Sequence, residues 1–365
     1  MRRSILAVLL ACAALAAADA QTIGEITYLE GRVQIVRGGA TLDAKLVKEG
    51  LDLANFDLLK TGGDGAVELR ITSAAAPATT VTVSPRTQFS LEIGRVGARQ
   101  QTTVDLVAGG VAVKCAMLTG SQALRVITEG AALGVRGTSF TVSAPASGDI
   151  LVTCDEGEVE CTDEKGATLA ASAGEAIEKA AGRPLARLAA AAAALADARR
   201  AWLDRQAADL KRDPLKLVAA FRTLLNRELC SFDRQYRSFV RYQRIFDAWD
   251  AEDRTGAARR PIAQLGEKVT LAVRLWALRR TLFRLERTWV RLLELKEYCE
   301  ERQISGRVGL QKSQTFFRLL EARGKGIELR RALIRWRSLQ FALRNDGQVP
   351  GGAFDPVDWK AFFTR

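Results

Sequence analysis

Hydrophobic period changes once along this chain, and that change limits the fold more than any other feature. From Gly24 to about Arg183 apolar residues alternate in short runs, among them Val33-Gln34-Ile35-Val36, Val67-Glu68-Leu69-Arg70-Ile71 and Val81-Thr82-Val83, separated by Gly, Asp and Pro. Period-two runs between turn residues predict strands. From Pro184 onward the apolar residues recur every three or four positions, the period of a helix face. A strand pattern cannot serve as a helix pattern, so the two halves need separate cores. The expected fold class is therefore multidomain all-β plus all-α, a β-rich sandwich or roll followed by an antiparallel bundle of long helices. With 365 residues there is chain enough for both.

The helical half is punctuated clearly. Ala-rich Leu188–Arg212 has high helix propensity and no breaker. Asp213-Pro214 ends it and opens a second helix, with Asp as N-cap and Pro at the first position. That helix carries Leu225, Leu229, Phe232, Tyr236, Phe239, Tyr242, Phe246 and Trp249 on one stripe, read as core rather than as a stacking platform. After the turn at Thr255–Pro261 a third helix places Leu275, Leu278, Leu282, Leu285, Trp289 and Leu292 at the same spacing. A fourth runs from Ser305-Gly306 toward Asn345, with an interruption expected at Gly324-Lys325-Gly326. The expected segments are residues 1–20, a leader; 21–183, the β domain; 184–346, the bundle; and 347–365, an irregular tail.

The leader reads Met1-Arg2-Arg3, an apolar run from Ile5 to Ala17, then Ala18-Asp19-Ala20. A basic start, a short apolar stretch and an A-x-A site make a secretory signal peptide, cut before Gln21. The alternative is a lipoprotein signal with Leu9-Leu10-Ala11-Cys12 as lipobox. Beyond Ala20 no apolar run approaches the roughly 20 residues a spanning helix needs. The expected location is the periplasm or cell envelope. Outside the leader the cysteines are Cys115, Cys154, Cys161, Cys230 and Cys299, an odd number. Cys154 and Cys161 flank Asp155-Glu156-Gly157-Glu158. They could bond across a hairpin or simply sit as small apolar side chains, depending on register.

Chemistry is narrowed by an absence. The sequence has no histidine, which removes Ser-His-Asp and Cys-His machinery and imidazole zinc sites. Gly62-Gly63-Asp64-Gly65 and Ala108-Gly109-Gly110 lack a phosphate-loop pattern. The acidic run from Asp155 to Glu164 lacks calcium-loop spacing and reads as a charged sheet edge. No catalytic residue, metal site or cofactor is expected, and the chain is read as a non-enzyme. Charge follows the period: residues 21–184 sum to −5 and 185–365 to +16, which with +1 in the leader gives the formal +12. The bundle is the basic half. Arg234, Arg237, Arg241 and Arg244 follow one helix face, while Arg274, Arg279, Arg280, Arg284, Arg287 and Arg291 spread around another helix. They are either a solvated face interlaced with acids such as Glu286 and Glu294, or a surface for an acidic partner. Export argues against nucleic acid as that partner and favours an envelope protein, anionic envelope polymer or lipid headgroups.

A Gly-x-Val beat recurs in the β half, at Gly31-Arg32-Val33, Gly109-Gly110-Val111 and Gly157-Glu158-Val159, each a turn glycine before a β-branched strand start. The segment Gly134-Val135-Arg136-Gly137-Thr138-Ser139-Phe140 resembles the VRGT-x-F signature of the FecR domain family. Leu51, Asp57 and Thr61-Gly62 are similar to its D-x-x-x-T-G turn. Val83-Ser84-Pro85-Arg86-Thr87, the Gly109 and Gly157 beats and Ala173-Gly174-Glu175 resemble its later steps. The resemblance covers about Gly24 to Lys179 and implies an extracytoplasmic β-rich domain that senses, binds or scaffolds. Its best-known members are regulators of iron-siderophore uptake, held by one membrane helix. This chain shows neither that helix nor a cytoplasmic segment. Gly134 and Gly137 are expected to permit close backbone approach around Arg136. The Arg136 guanidinium suits a tie between strand ends, or alternatively the reading of an anionic ligand. The functional expectation is an exported binding or scaffold component of the envelope; the alternative is an extracytoplasmic regulator contacting a membrane partner.

Overall fold

In the computed structural model the described residues are 22–348, except 38–39, 75, 77, 97–98, 117–121, 136, 181, 189–194, 259–261 and 263–264. The expected leader, Cys12, Gln21 and the tail beyond Gln348 lie outside them.

Two sheets, antiparallel but for one pair of strands, face each other across one apolar core. The first contains β1 (Thr22–Glu30), β4 (Asp52–Ala54), β6 (Ala66–Ile71), β7 (Thr79–Val83), β12 (Ser139–Ala144), β13 (Ile150–Glu156), β16 (Ala176–Lys179) and β17 (Leu185–Leu188). The second contains β2 (Val33–Arg37), β3 (Ala40–Thr41), β5 (Leu58–Thr61), β8 (Gln88–Val96), β10 (Gln122–Ile127), β11 (Ala131–Val135), β14 (Glu158–Asp163) and β15 (Thr168–Ser172). One long strand, β9 (Arg99–Lys114), belongs to both. Its first part pairs with β8 and, in parallel, with β10; its last part pairs with β7 and β12. Alternation does the rest: Leu69, Val81, Val113, Val142 and Val152 of one sheet meet Ile35, Leu59, Phe89, Leu106 and Val126 of the other in a single buried cluster.

Pairing continues past the expected boundary at 183, because β17 adds to β16. Helix α1 (Leu195–Arg212) follows. It lies on the β half: Trp202 is fully buried against Leu151, Ala176 and Leu195, and its indole N–H donates to Glu178 at 2.9 Å. Gln206 reaches Asp149 at 3.1 Å.

The remaining helices are α2 (Pro214–Val240), α3 (Gln243–Thr255), α4 (Leu265–Glu301) and α5 (Ser313–Leu343). Asp213 caps α2 as expected, accepting from the Lys216 amide at 3.0 Å, with Pro214 in the first turn. The single aromatic helix expected through Trp249 is broken at Arg241-Tyr242, yet its stripe stays in the core: Phe239 and Phe246 lie 4.9 Å apart, Phe246 and Trp249 5.2 Å. The interruption expected at Gly324-Lys325-Gly326 does not occur. Gly324 is buried against the Trp289 indole, where a β-carbon would come within 2.6 Å, so close helix packing explains a glycine that reads locally as a break. A small hairpin, β18 (Arg307–Val308) with β19 (Gln311–Lys312), joins α4 to α5. Arg222 near the start of α2 donates to the Val308 carbonyl beyond the end of α4. Trp289 meets Gly324, while Lys296 pairs with Glu321 at 2.9 Å. The helices therefore run up, down and up.

Trp202 is the largest side chain that α1 buries on the sheet. Trp202→Ala should cost about 3–5 kcal/mol in urea unfolding and open α1 to protease before the rest of the chain.

Candidate functional site

The steps of the family motif are corners, places where the chain passes from one sheet to the other. Gly31 joins β1 to β2, Gly109 turns β9 from the second sheet to the first, and Gly157 joins β13 to β14. Each has positive φ, at +65°, +95° and +77°. Space is as restrictive as conformation. A β-carbon on Gly109 would stand 2.3 Å from Thr87 Oγ1, and one on Gly157 would stand 2.4 Å from the Gly137 carbonyl oxygen. Glycine is required twice over, for the turn and for the neighbour.

The corners lock to one another in pairs through threonine hydroxyls. Thr61 Oγ1 donates to the Ser84 carbonyl at 2.7 Å and accepts from the Thr87 amide at 2.9 Å. Thr87 Oγ1 in turn accepts from the Gly110 amide at 2.9 Å. The Gly62 amide donates to the Arg32 carbonyl at 2.8 Å, and the Arg86 amide to the Gly62 carbonyl at 2.9 Å. Asp57 is buried beside Arg37, from which it accepts at 2.7 Å, and it also accepts from the Ala54 amide at 2.9 Å. Thr61, Gly62, Ser84, Thr87 and Gly110 thus form one hydrogen-bonded cluster, although 49 positions separate the first from the last.

The signature itself is the corner from β11 to β12. Val135 and Phe140 are buried, Thr138 is buried, and Gly137 turns with φ +65°. Gly134 differs from expectation: it is an exposed strand residue with nothing within 4 Å of its β-carbon position, so it permits no close approach. Arg136 lies outside the described residues. Cys154 and Cys161 fall on strands of different sheets, and all five described cysteines are free thiols. Burial pushes Cys154 up to about 11 and Cys161 up to about 12, so both behave as small apolar side chains.

Two sets stand out among the bundle arginines. One set is inward and bonded. Arg287 is 1% exposed at the junction of α4 with β9; its guanidinium donates to the carbonyls of Leu106 and Ile127 and lies 3.5 Å from Asp105. Burial pulls Arg287 down to about 9 and pushes Asp105 up to about 7, each against the attraction of the other. One turn on, Arg291 pairs with Glu129; toward the start of the helix Arg279 pairs with Glu92. Within the bundle Arg337 grips Asp250 through both terminal nitrogens at 2.6 and 2.9 Å, and Arg344 reaches Asp253 at 3.0 Å. Glu286, expected on a solvated face, is instead 2% exposed. Sequence reasoning missed this interface because a helix buried on all sides shows no polar face to predict it.

The other set is the row Arg234, Arg237, Arg241 and Arg244. All four are exposed across the α2–α3 break, and their side chains make no ion pair, hydrogen bond or ring contact among the described residues. No group of potential metal ligands occurs among the described residues.

The family described as FecR protein matches residues 57–160, the stretch from the Asp57 brace to β14. The β half therefore contains a FecR domain. Two crystal structures of putative anti-sigma factors from Parabacteroides distasonis ATCC 8503 resemble part of the chain. The first is 17% identical with a TM-score of 0.30, covering 37% of this chain and 60% of that one. The second is 19% identical with a TM-score of 0.29, covering 40% and 62%. The chain spans about three fifths of the length of these structures. No curated protein matches.

Because a side chain at Gly157 has neither the conformation nor the room it needs, Gly157→Ala should lower stability by at least about 1–2 kcal/mol. Gly134→Ala, in open space on a strand, should leave the thermal midpoint within a degree or two. Equal midpoints for the two variants would contradict the assignment of Gly157 as a locked corner.

Proposed function

We propose that this chain is an exported, non-enzymatic FecR-domain protein that serves as a binding or scaffold component of the cell envelope, presenting its basic helices to an anionic surface. The observation that carries the reading is the arginine row at 234, 237, 241 and 244. Most buried guanidiniums of the bundle are matched to a carboxylate or carbonyl, whereas these four stay exposed and unmatched. Unpaired like charges repel one another and lower stability, so their recurrence at every third or fourth position is better explained by a partner than by folding. The Phe239, Phe246 and Trp249 core beneath the row holds it rigid.

The chemistry of the row suits phosphate or carboxylate groups displayed at a surface, such as anionic lipid headgroups or acidic envelope polymer. Among the described residues no helix is long and apolar enough to cross a membrane. The FecR match over 57–160 supports a second reading. There the chain is an extracytoplasmic regulator and the row meets an acidic face of a membrane protein.

Cosedimentation of the full chain with phosphatidylglycerol vesicles tests the first reading. Binding should fall at least about tenfold between 50 and 300 mM salt, as Debye screening shortens the reach of the row. Replacing all four arginines with glutamate should abolish it, since each basic side chain near such a surface contributes about 1 kcal/mol. The charge-matched control replaces exposed Arg200, Arg205, Arg318 and Arg323 with glutamate and should retain most of the binding. Equal loss in both variants would reduce the effect to net charge and remove the row from its role.

A further inference from the structure

A cavity of about 440 Å³ opens where β2, β5 and the β4–β5 turn face α5. Its size is that of a small-molecule site, and its lining has two characters. Val36, Leu58, Phe56, Leu329 and Leu339 supply an apolar wall. The other wall carries five cations, Arg37, Lys60, Lys325, Arg331 and Arg335, against one lining carboxylate, Glu328.

The ion pairs around this space leave positive charge over. Arg37 is matched by Asp57 at 2.7 Å, and Lys60 approaches Glu328 at 3.7 Å. Arg331 and Arg335 must share a single acid, Glu286, at 3.4 and 3.5 Å. Neither contact is a hydrogen bond, since Glu286 Oε1 has no hydrogen-bond partner. Lys325 has an exposed place at the rim. Arg331 is 3% exposed and Trp336 7% exposed. Arg331 Nη1, Arg335 Nη1 and Trp336 Nε1 are buried donors with no acceptor. Leaving such donors unmatched is unfavourable, most of all for charged groups. Burial, and after it the nearby Arg331 guanidinium, holds the Lys60 ammonium below its ordinary range.

From this arrangement we infer that the cavity between the FecR domain and α5 binds a small amphipathic oxyanion, an organic carboxylate or phosphate monoester with an apolar body. The oxyanion supplies the missing negative charge beside Lys60, Arg331 and Arg335, and a small rotation of either guanidinium brings a free donor to it. The apolar body lies on Phe56, Leu329 and Leu339. This site is separate from the arginine row and does not depend on what the row contacts.

Calorimetric titration of the full chain with phenyl phosphate and with benzoate tests the inference. At least one of the two should bind once per chain, and whichever is tighter names the oxyanion. Benzyl alcohol, which lacks the charge, and inorganic phosphate, which lacks the apolar body, should each bind at least about tenfold more weakly. Lys60→Met should weaken the tighter probe about tenfold or more. Lys325→Glu, at the exposed rim where folding is not at stake, should weaken it about threefold. Absence of saturable binding by both anions would overturn the inference, as would inorganic phosphate or benzyl alcohol matching the better probe. So would unchanged affinity in Lys325→Glu together with unchanged affinity in a folded Lys60→Met.

Discussion

The buried guanidinium of Arg287 is the contact on which the placement of the helical half depends. A cation taken out of water needs several close acceptors, and β9 and β10 supply them as backbone carbonyls at Leu106 and Ile127 with Asp105 alongside. That demand fixes both the rotation and the height of α4 on the sheet. Val290 then packs on Val107 and Ala108 one turn further on, and Arg291 reaches Glu129. The 37 residues of α4, about 55 Å of helix, are held at their middle by this contact. With α4 fixed, α2 and α5 cover its remaining faces through Leu225, Phe232, Phe317 and Leu320.

The acceptors are available because of where the FecR corners put them. Gly109 lets β9 leave one sheet and enter the other, so Asp105 and Leu106 lie close to that corner, on the second-sheet part of the strand. The threonine cluster at Thr61 and Thr87 braces the same corner through the Gly110 amide. Motif residues with no chemistry of their own thus build the platform on which the basic half docks. On the reading proposed above, function belongs to what is held, the exposed row on α2 and α3 and the charged cavity beside α5, rather than to the motif.

Much of this was legible in the residues. Alternation gave the strands, the Asp213-Pro214 pair placed a helix start to the residue, and the Gly-x-Val beats marked the turns at Gly31 and Gly157, whereas Gly109 lies inside β9 and bends it from one sheet to the other. Other features were not readable, for physical reasons that differ. Gly134 and Gly157 look alike in sequence, and only packing separates an open strand position from a locked corner. Gly324 reads as a helix break until Trp289 is seen lying on it. Arg287 and Arg234 have the same chemistry on similar helices, yet one is enclosed and the other exposed. Burial of a charge is decided by partners more than 150 positions away, and periodicity carries no information about them. The cavity is likewise built from segments that meet only in three dimensions.

The most direct test is native-state hydrogen exchange on the full chain, comparing amides of β9 from Val104 to Ala108 with amides of α4 from Leu285 to Leu295. If the Arg287 contact makes the two halves one cooperative unit, both groups should open with the same free energy. In Arg287→Met the α4 amides should then exchange faster, while β9 keeps most of its protection through its partner strands. Separate opening energies for β9 and α4 in the unaltered protein, left unchanged by Arg287→Met, would contradict the central role given to this contact.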